Sequence, residues 1–447
     1  MRELERRFPD ELAVVGVHSG KYIAERDTAR IREAAIRLGN THPIVNDRQF
    51  RVWRSYAVRA WPTLVVIDPQ GYAVTSHAGE FTAAMVAPLV ERLVADAGAS
   101  LDRAPRHFPL DPPAIAPSVL RYPGKVALDA PGDSGGGRGH RRIAIADTGH
   151  HRVLVGTLSD DGRRMTVERV VGSGEAGLRD DADARGARFT MPNGMAFGGA
   201  SDGAPAGTLY VADSGNHALR AVDLATGTVR TLAGTGHRVR TRADLEAGAL
   251  ASPWDVALVG ATLHVAMAGS HQLWALDLAR GTRPRVHAGQ GGEDIRDGAL
   301  GDALLAQPMG LAADARAGRL YFVDAESSAV RWAELDPAAG EVHTIVGTGL
   351  FDFGDADGVG DAVRMQHQQG IALHPGGRLL VADSYDDALK WVDPATRRAE
   401  TWVRGLHEPG GLAIGDGVVY VADTNAHRIA VVEEESGEVG ELEIEER

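Results

Sequence analysis

One ten-residue pattern returns six times along this chain, and a sequence built that way folds as an array of like units. The copies are IADTGHHRVL (145–154), VADSGNHALR (211–220), VAMAGSHQLW (265–274), FVDAESSAVR (322–331), VADSYDDALK (381–390) and VADTNAHRIA (421–430). At the acidic position stand Asp147, Asp213, Met267 in place of Asp, Asp324, Asp383 and Asp423, spaced 66, 54, 57, 59 and 40 residues apart.

A second pattern precedes each copy: YPGKVAL (122–128), MPNGMAF (191–197), SPWDVAL (252–258), QPMGLAA (307–313), HQQGIAL (367–373) and EPGGLAI (408–414). Apolar runs of four to six residues bounded by Gly, Pro, Asp and Asn read as strands with turn punctuation. Each repeat is therefore strand, Asp-turn, strand, then a further strand ending near Gly-x-Gly. Radially arranged four-stranded sheets leave only short, protected edges, so six copies predict an all-β six-bladed propeller over residues 119–447. The 55 glycines are about 12% of the chain against a usual 7%, as many tight turns require.

Residues 1–98 are different. ELAVVGVHSG and WPTLVVIDPQGYAV read as strands, the latter with a turn in its middle. AERDTARIREAAIRLG, NDRQFRVWRSYAV and FTAAMVAPLVERLVADAG read as helices, with Pro88 a local irregularity in the last. This is α/β order. Residues 99–118, with five prolines, read as an extended linker.

The formal charge of −14 argues against binding nucleic acid, which needs clustered Lys and Arg. Much of it lies in a Glu-rich tail (Glu433, Glu434, Glu435, Glu438, Glu441, Glu443, Glu445, Glu446), expected to be the solvated end of the last strand. With no cysteine, disulfides, thiolate metal sites and thiol redox chemistry by this chain alone are excluded. No apolar run has the length of a membrane span and the N-terminus has no apolar signal core, so a cytoplasmic protein without membrane contact is expected. Oligomeric state is not legible.

No cofactor and no metal are expected. Asp355-x-Asp357-Gly358 superficially matches a calcium loop, but the twelfth-position Glu and flanking helices are missing, and Asp residues also close their own turns. His151, His217, His271 and His427 recur at one repeat position, where other blades carry Ser328 and Asp387. Such symmetry predicts a structural hydrogen bond inside each blade rather than a shared metal. Val126, Met195, Val256, Leu311, Ile371 and Leu412 on the innermost strands predict an apolar packed tunnel. The segment Asp133-Ser134-Gly135-Gly136-Gly137 reads as a hairpin insertion, not a phosphate cradle. Residues that break the repeat point to binding, because the scaffold does not demand them. These are Trp254 and Asp255, where other blades have a small residue and Gly, with Lys125, Asn193, Met309 and Gln369 at matching loop positions. They are expected to ring one mouth of the channel.

The xPxGhA…hADSxNHxhRxhD repeats resemble NHL repeats. The whole arrangement resembles the family that joins a thioredoxin-like domain to a six-bladed NHL propeller. VVGVHS (14–19), NTHPIVND (40–47), WPTLVVIDPQG (61–71), IADTGHHR (145–152), SPWDV (252–256) and AMAGSHQLWAL (266–276) carry the resemblance. It implies a cis Pro62 between Trp61 and Thr63, facing a Cys-x-x-Cys pair. That pair and the first strand do not occur here, so the resemblance implies either a start placed too far downstream or a motif lost from a retained scaffold. Three functions follow in order: a non-catalytic scaffold whose propeller binds a protein or peptide, a thiol–disulfide oxidoreductase whose redox motif is missing from this chain, and a metal-dependent propeller hydrolase or lyase.

Overall fold

A computed structural model describes residues 1–104, 118–129, 141–199 and 207–446. Most of the Pro-rich stretch and the Asp133–Gly137 segment lie outside the described residues. The chain divides into two compact units, Met1–Ala116 and Pro117–Arg447.

In the first unit, α1 (Arg2–Arg7), α2 (Thr28–Arg37), α3 (Arg51–Ser55) and α4 (Ala83–Ala97) accompany two separate two-stranded sheets. β1 (Gly16–His18) pairs parallel with β2 (Ile44–Asn46), and β3 (Thr63–Ile67) pairs antiparallel with β4 (Ala73–Ala78). Leu4 and Phe8 pack on Val86, Ala87 and Val90 of α4 to form its core. The Asp27 side chain caps α2 by accepting from the amides of Ala29 and Arg30, satisfying donors the first turn leaves open. α3 is shorter than its sequence predicts because Phe50 (φ 56°) and Ala57 (φ 51°) turn left-handed on either side of it. The Trp61–Pro62 bond is cis.

The second unit is a closed ring of six sheets. Their innermost strands are Lys125–Leu128, Pro192–Phe197, Pro253–Val259, Pro308–Asp314, Gly370–Leu373 and Pro409–Gly415. Each packs against the next, and the sixth returns to the first. Six apolar cores lie one at each blade–blade interface. Val126, Met195, Val256, Leu311, Ile371 and Leu412 fall one into each of these six cores, so they pack between blades instead of lining a tunnel. The reason is geometric: a radial sheet turns its side-chain faces to its neighbours and only a backbone edge to the axis.

The Glu-rich tail is not simply a solvated strand end. Val439–Glu441 completes blade six, and Glu443–Glu446 crosses to pair parallel with Arg164–Val167 as a fifth strand of blade one. Arg164 faces Glu443 at 3.1 Å and Glu445 at 3.4 Å, so the local acid has basic partners to meet.

Candidate functional site

The repeat motif first builds the frame. After each motif residue a short 3-10 turn ends at a left-handed residue: His151, His217, His271, Ser328, Asp387 and His427 (φ 55°, 49°, 53°, 51°, 53° and 57°). The acceptor on that side chain then takes an amide of the following blade. Met191 donates to His151 Nδ1 at 3.2 Å, Ser252 to His217 at 3.0 Å, Gln307 to His271 at 3.1 Å and Tyr122 to His427 at 3.1 Å. Ser328 Oγ receives the His367 amide at 3.4 Å and Asp387 Oδ1 that of Glu408 at 3.0 Å. The histidine bond therefore runs between blades, not within one as the repeat symmetry suggests. The left-handed turn aims the side chain away from its own sheet, which sequence spacing does not reveal.

The motif carboxylates are wholly buried and face both ways. One oxygen of Asp147, Asp213, Asp324, Asp383 and Asp423 accepts the amide of Arg121, Thr190, Ala306, Gln366 and His407 respectively, at 2.6–2.8 Å. In blade three, Met267 Sδ takes that place at 3.4 Å from the Ala251 amide. The other oxygen meets a cation: Arg152, Arg220, Arg331 and Arg428 within 2.7–2.9 Å. Arg220 and Arg331 continue to the loop residues Asp180 and Asp297, which also bind Thr231 and Thr344. In blade five, Asp357 accepts from Lys390 and Thr401 in the same way. The Asp355-x-Asp357-Gly358 stretch is therefore one of these clamps rather than an EF-hand-like loop. Burial pushes Asp213 up to about 6 against the opposing pull of Asn216, the Thr190 amide and Arg220.

The repeat-breaking residues gather at one end of the innermost strands. Aligning the strands on their prolines, with Gln368 in that place in blade five, puts Asn193, Trp254, Met309 and Gln369 opposite Gly124 and Gly410. Lys125 belongs one position later, with Asp255, Gly194, Gly310, Gly370 and Gly411, which corrects its expected register. Here neighbouring backbones nearly touch: a Cβ on Gly194 would sit 2.2 Å from Asp255 Cα, and one on Gly370 would sit 2.3 Å from the Gly410 carbonyl. Glycine is required at those close approaches. The two non-glycine members of the ring bind each other. Lys125 Nζ donates to Asp255 Oδ2 at 2.6 Å, reaching from blade one to blade three. Asp255 also accepts the amides of Leu311 and Val256.

Lys125, Asn193, Asp255 and Met309 are buried, while Trp254 and Gln369 keep partial exposure. Trp254 lies against the core of blades four and five, alongside Met309. Sequence reading found the members of this ring. It missed the ion pair because nothing local in the sequence links positions 130 residues apart.

In the first unit, the Trp61 indole donates to the Ser19 carbonyl at 2.7 Å and lies 4.5 Å from Trp53. Thr63 donates its hydroxyl to the Ala60 carbonyl at 2.7 Å. Ser19 in turn bonds Asp47, whose carboxylate accepts the amides of Arg51, Val52 and Trp53.

Residues 406–432 match the NHL repeat family. The chain is 34% identical to NHL repeat-containing protein 2 of Homo sapiens, over 99% of this chain and 65% of that protein. It is likewise 34% identical to Protein SUPPRESSOR OF QUENCHING 1, chloroplastic, of Arabidopsis thaliana, over 98% of this chain and 43% of that protein. The chain thus spans less than two thirds of either relative. Among solved structures, a chain of a nidogen/laminin complex aligns at TM-score 0.45 and 14% identity, covering 66% of this chain and 90% of that one. No helix among the described residues is long and apolar enough to cross a membrane. The name of the Arabidopsis thaliana relative carries a chloroplast designation, so the comparisons give the cytoplasmic expectation no support.

Proposed function

We propose that the six-bladed propeller, whose residues 406–432 match the NHL repeat family, is a recognition scaffold for a protein or peptide partner. The observation that supports this most is how the ring end is built. Glycine backbones and the Lys125–Asp255 pair fill the axis, while Trp254 and Gln369 stay partly exposed beside it. A partly exposed aromatic over a well-packed floor is the kind of anchor that protein interfaces use. The repeat histidines and aspartates are engaged in the frame, which leaves them poorly placed for chemistry on a substrate.

A peptide library displayed on phage and selected on the full chain tests this reading. Selected peptides should lose at least about tenfold in affinity to Trp254→Ala combined with Gln369→Ala, with circular dichroism showing the variant still folded. Undiminished binding by that variant would move recognition elsewhere.

The second reading concerns residues 1–98 as a thioredoxin-like unit. It is favoured by the parallel β1–β2 pair and the closing helix α4. This chain contains no cysteine, so it should not accelerate insulin reduction by dithiothreitol over buffer alone. Clear acceleration would refute the exclusion of thiol chemistry by this chain alone.

A further inference from the structure

Blade five departs from the repeat twice in one place. In blades one, two, four and six an arginine hydrogen-bonds the second oxygen of the motif aspartate. Blade five has Lys390 instead. Its Nζ bonds Asp355 Oδ1 at 2.6 Å and Asp357 Oδ1 at 3.2 Å, and stops 3.8 Å short of Asp383 Oδ2. That oxygen has no hydrogen bond, although Asp383 is 0% exposed.

The second departure is Asp386, which stands where the other blades have His150, Asn216, Ser270, Ser327 and Ala426. Gln366 donates to its Oδ1 at 2.6 Å, but its Oδ2 is buried with no hydrogen-bond partner. Oxygens of Asp355, Asp383 and Asp386 lie within 4.8 Å of one another. Four carboxylates, counting Asp357, thus meet two cations, Lys390 and the more exposed Arg404. Buried anionic oxygens without donors call for a counter-charge.

We propose that blade five binds a calcium ion between Asp355, Asp383 and Asp386. The donors are all hard oxygens, which suit calcium, magnesium or manganese. Calcium holds its oxygens at about 2.3–2.6 Å, so one ion spans such a separation where the smaller magnesium requires contraction. Lys390 then serves Asp357, the second carboxylate it already touches. The ion does for blade five what arginine does for blades two and four, tying the 351–361 loop to the motif turn.

The test uses the full chain stripped with EDTA, with calcium chloride titrated in a calorimeter at pH 7.5 and thermal scans in parallel. The expected result is one calcium per chain and a melting temperature that rises with calcium. Asp386→Asn and Lys390→Arg, the second restoring the cation of blades two and four, should fold with unchanged circular dichroism and lose that response. No binding up to about 1 mM calcium, or equal binding in both variants, overturns the proposal. So does a melting temperature indifferent to calcium that falls as pH is raised from 5 to 8, because Asp383 and Asp386 then share a proton instead.

Discussion

At residue scale, blade three shows that the buried ion pair is replaceable. Where blades two and four carry Asp213–Arg220 and Asp324–Arg331, blade three carries Met267 and Trp274, both in one apolar core. Desolvating two charges costs about as much as their attraction returns, whereas leaving one partner unpaired costs ~3–5 kcal/mol. Arg220→Ala should therefore lower stability by about 3–5 kcal/mol in urea titrations, while the Asp213→Met, Arg220→Trp double variant should come close to wild type. A double variant as weak as the single one would show that the charges themselves are needed.

A second residue-scale prediction comes from His264 and His287 in the same blade, both buried with ring centres 5.1 Å apart. Burial first, and then the neighbouring His287, push His264 down to about 3. The unfolded chain therefore takes up this proton before the folded one does. Stability is fully present above the usual histidine value near 6.5 and is lost as pH falls from there towards 3, by on the order of 5 kcal/mol. Replacing His264 with Phe should flatten that part of the urea-midpoint profile; an unaltered slope would assign it to other groups.

At element scale, what could be read in the sequence was whatever repeats locally. The strands, the Asp-turn and the glycine-rich connections follow from composition within ten residues. The partners do not, because each side chain's target is set by the sheet next door. His217 was legible as a repeat position, yet its acceptor role for Ser252 depends on a left-handed turn and on blade packing. Lys125 was found as an exception but placed one register early, because YPGKVAL and SPWDVAL align only on the proline. The tail glutamates are largely exposed, as their run suggests, but the pairing of Glu443–Glu446 beside Arg164–Val167 has no local signal for the same reason. Deleting residues 443–447 should lower the melting temperature by several degrees. It should also speed amide exchange at 164–167 while leaving blade four protected. Exchange unchanged at 164–167 would mean that this pairing contributes nothing in solution. The exposed ion pairs of Arg164 add little by themselves, so added salt should hardly alter the effect.

At the scale of the whole molecule, each unit has its own core. That of Met1–Ala116 is small and leaves Val15, Ile23, Leu38 and Met85 more than half exposed, whereas six interfaces bury the apolar surface of the propeller. Apolar area removed from water dominates stability. Scanning calorimetry should accordingly show two transitions, with hydrogen exchange assigning the lower one to residues 1–98. A single transition involving both units together would instead show that they unfold as one.

The side chain after each motif turn makes every blade a donor to one neighbour and an acceptor for the other. In a row of such units one amide and one acceptor are left over at the ends; in a ring none is. The joint itself does not count to six, since the same atoms would link five or seven. The number is decided by the wedge angle of the six apolar interfaces, and the joint rewards whatever ring those interfaces close. A duplicated repeat would thus find chemically matched neighbours on both sides at once, leaving only the packing angles to adjust. Rings assembled from this unit can change their size by whole blades without first inventing a new seam.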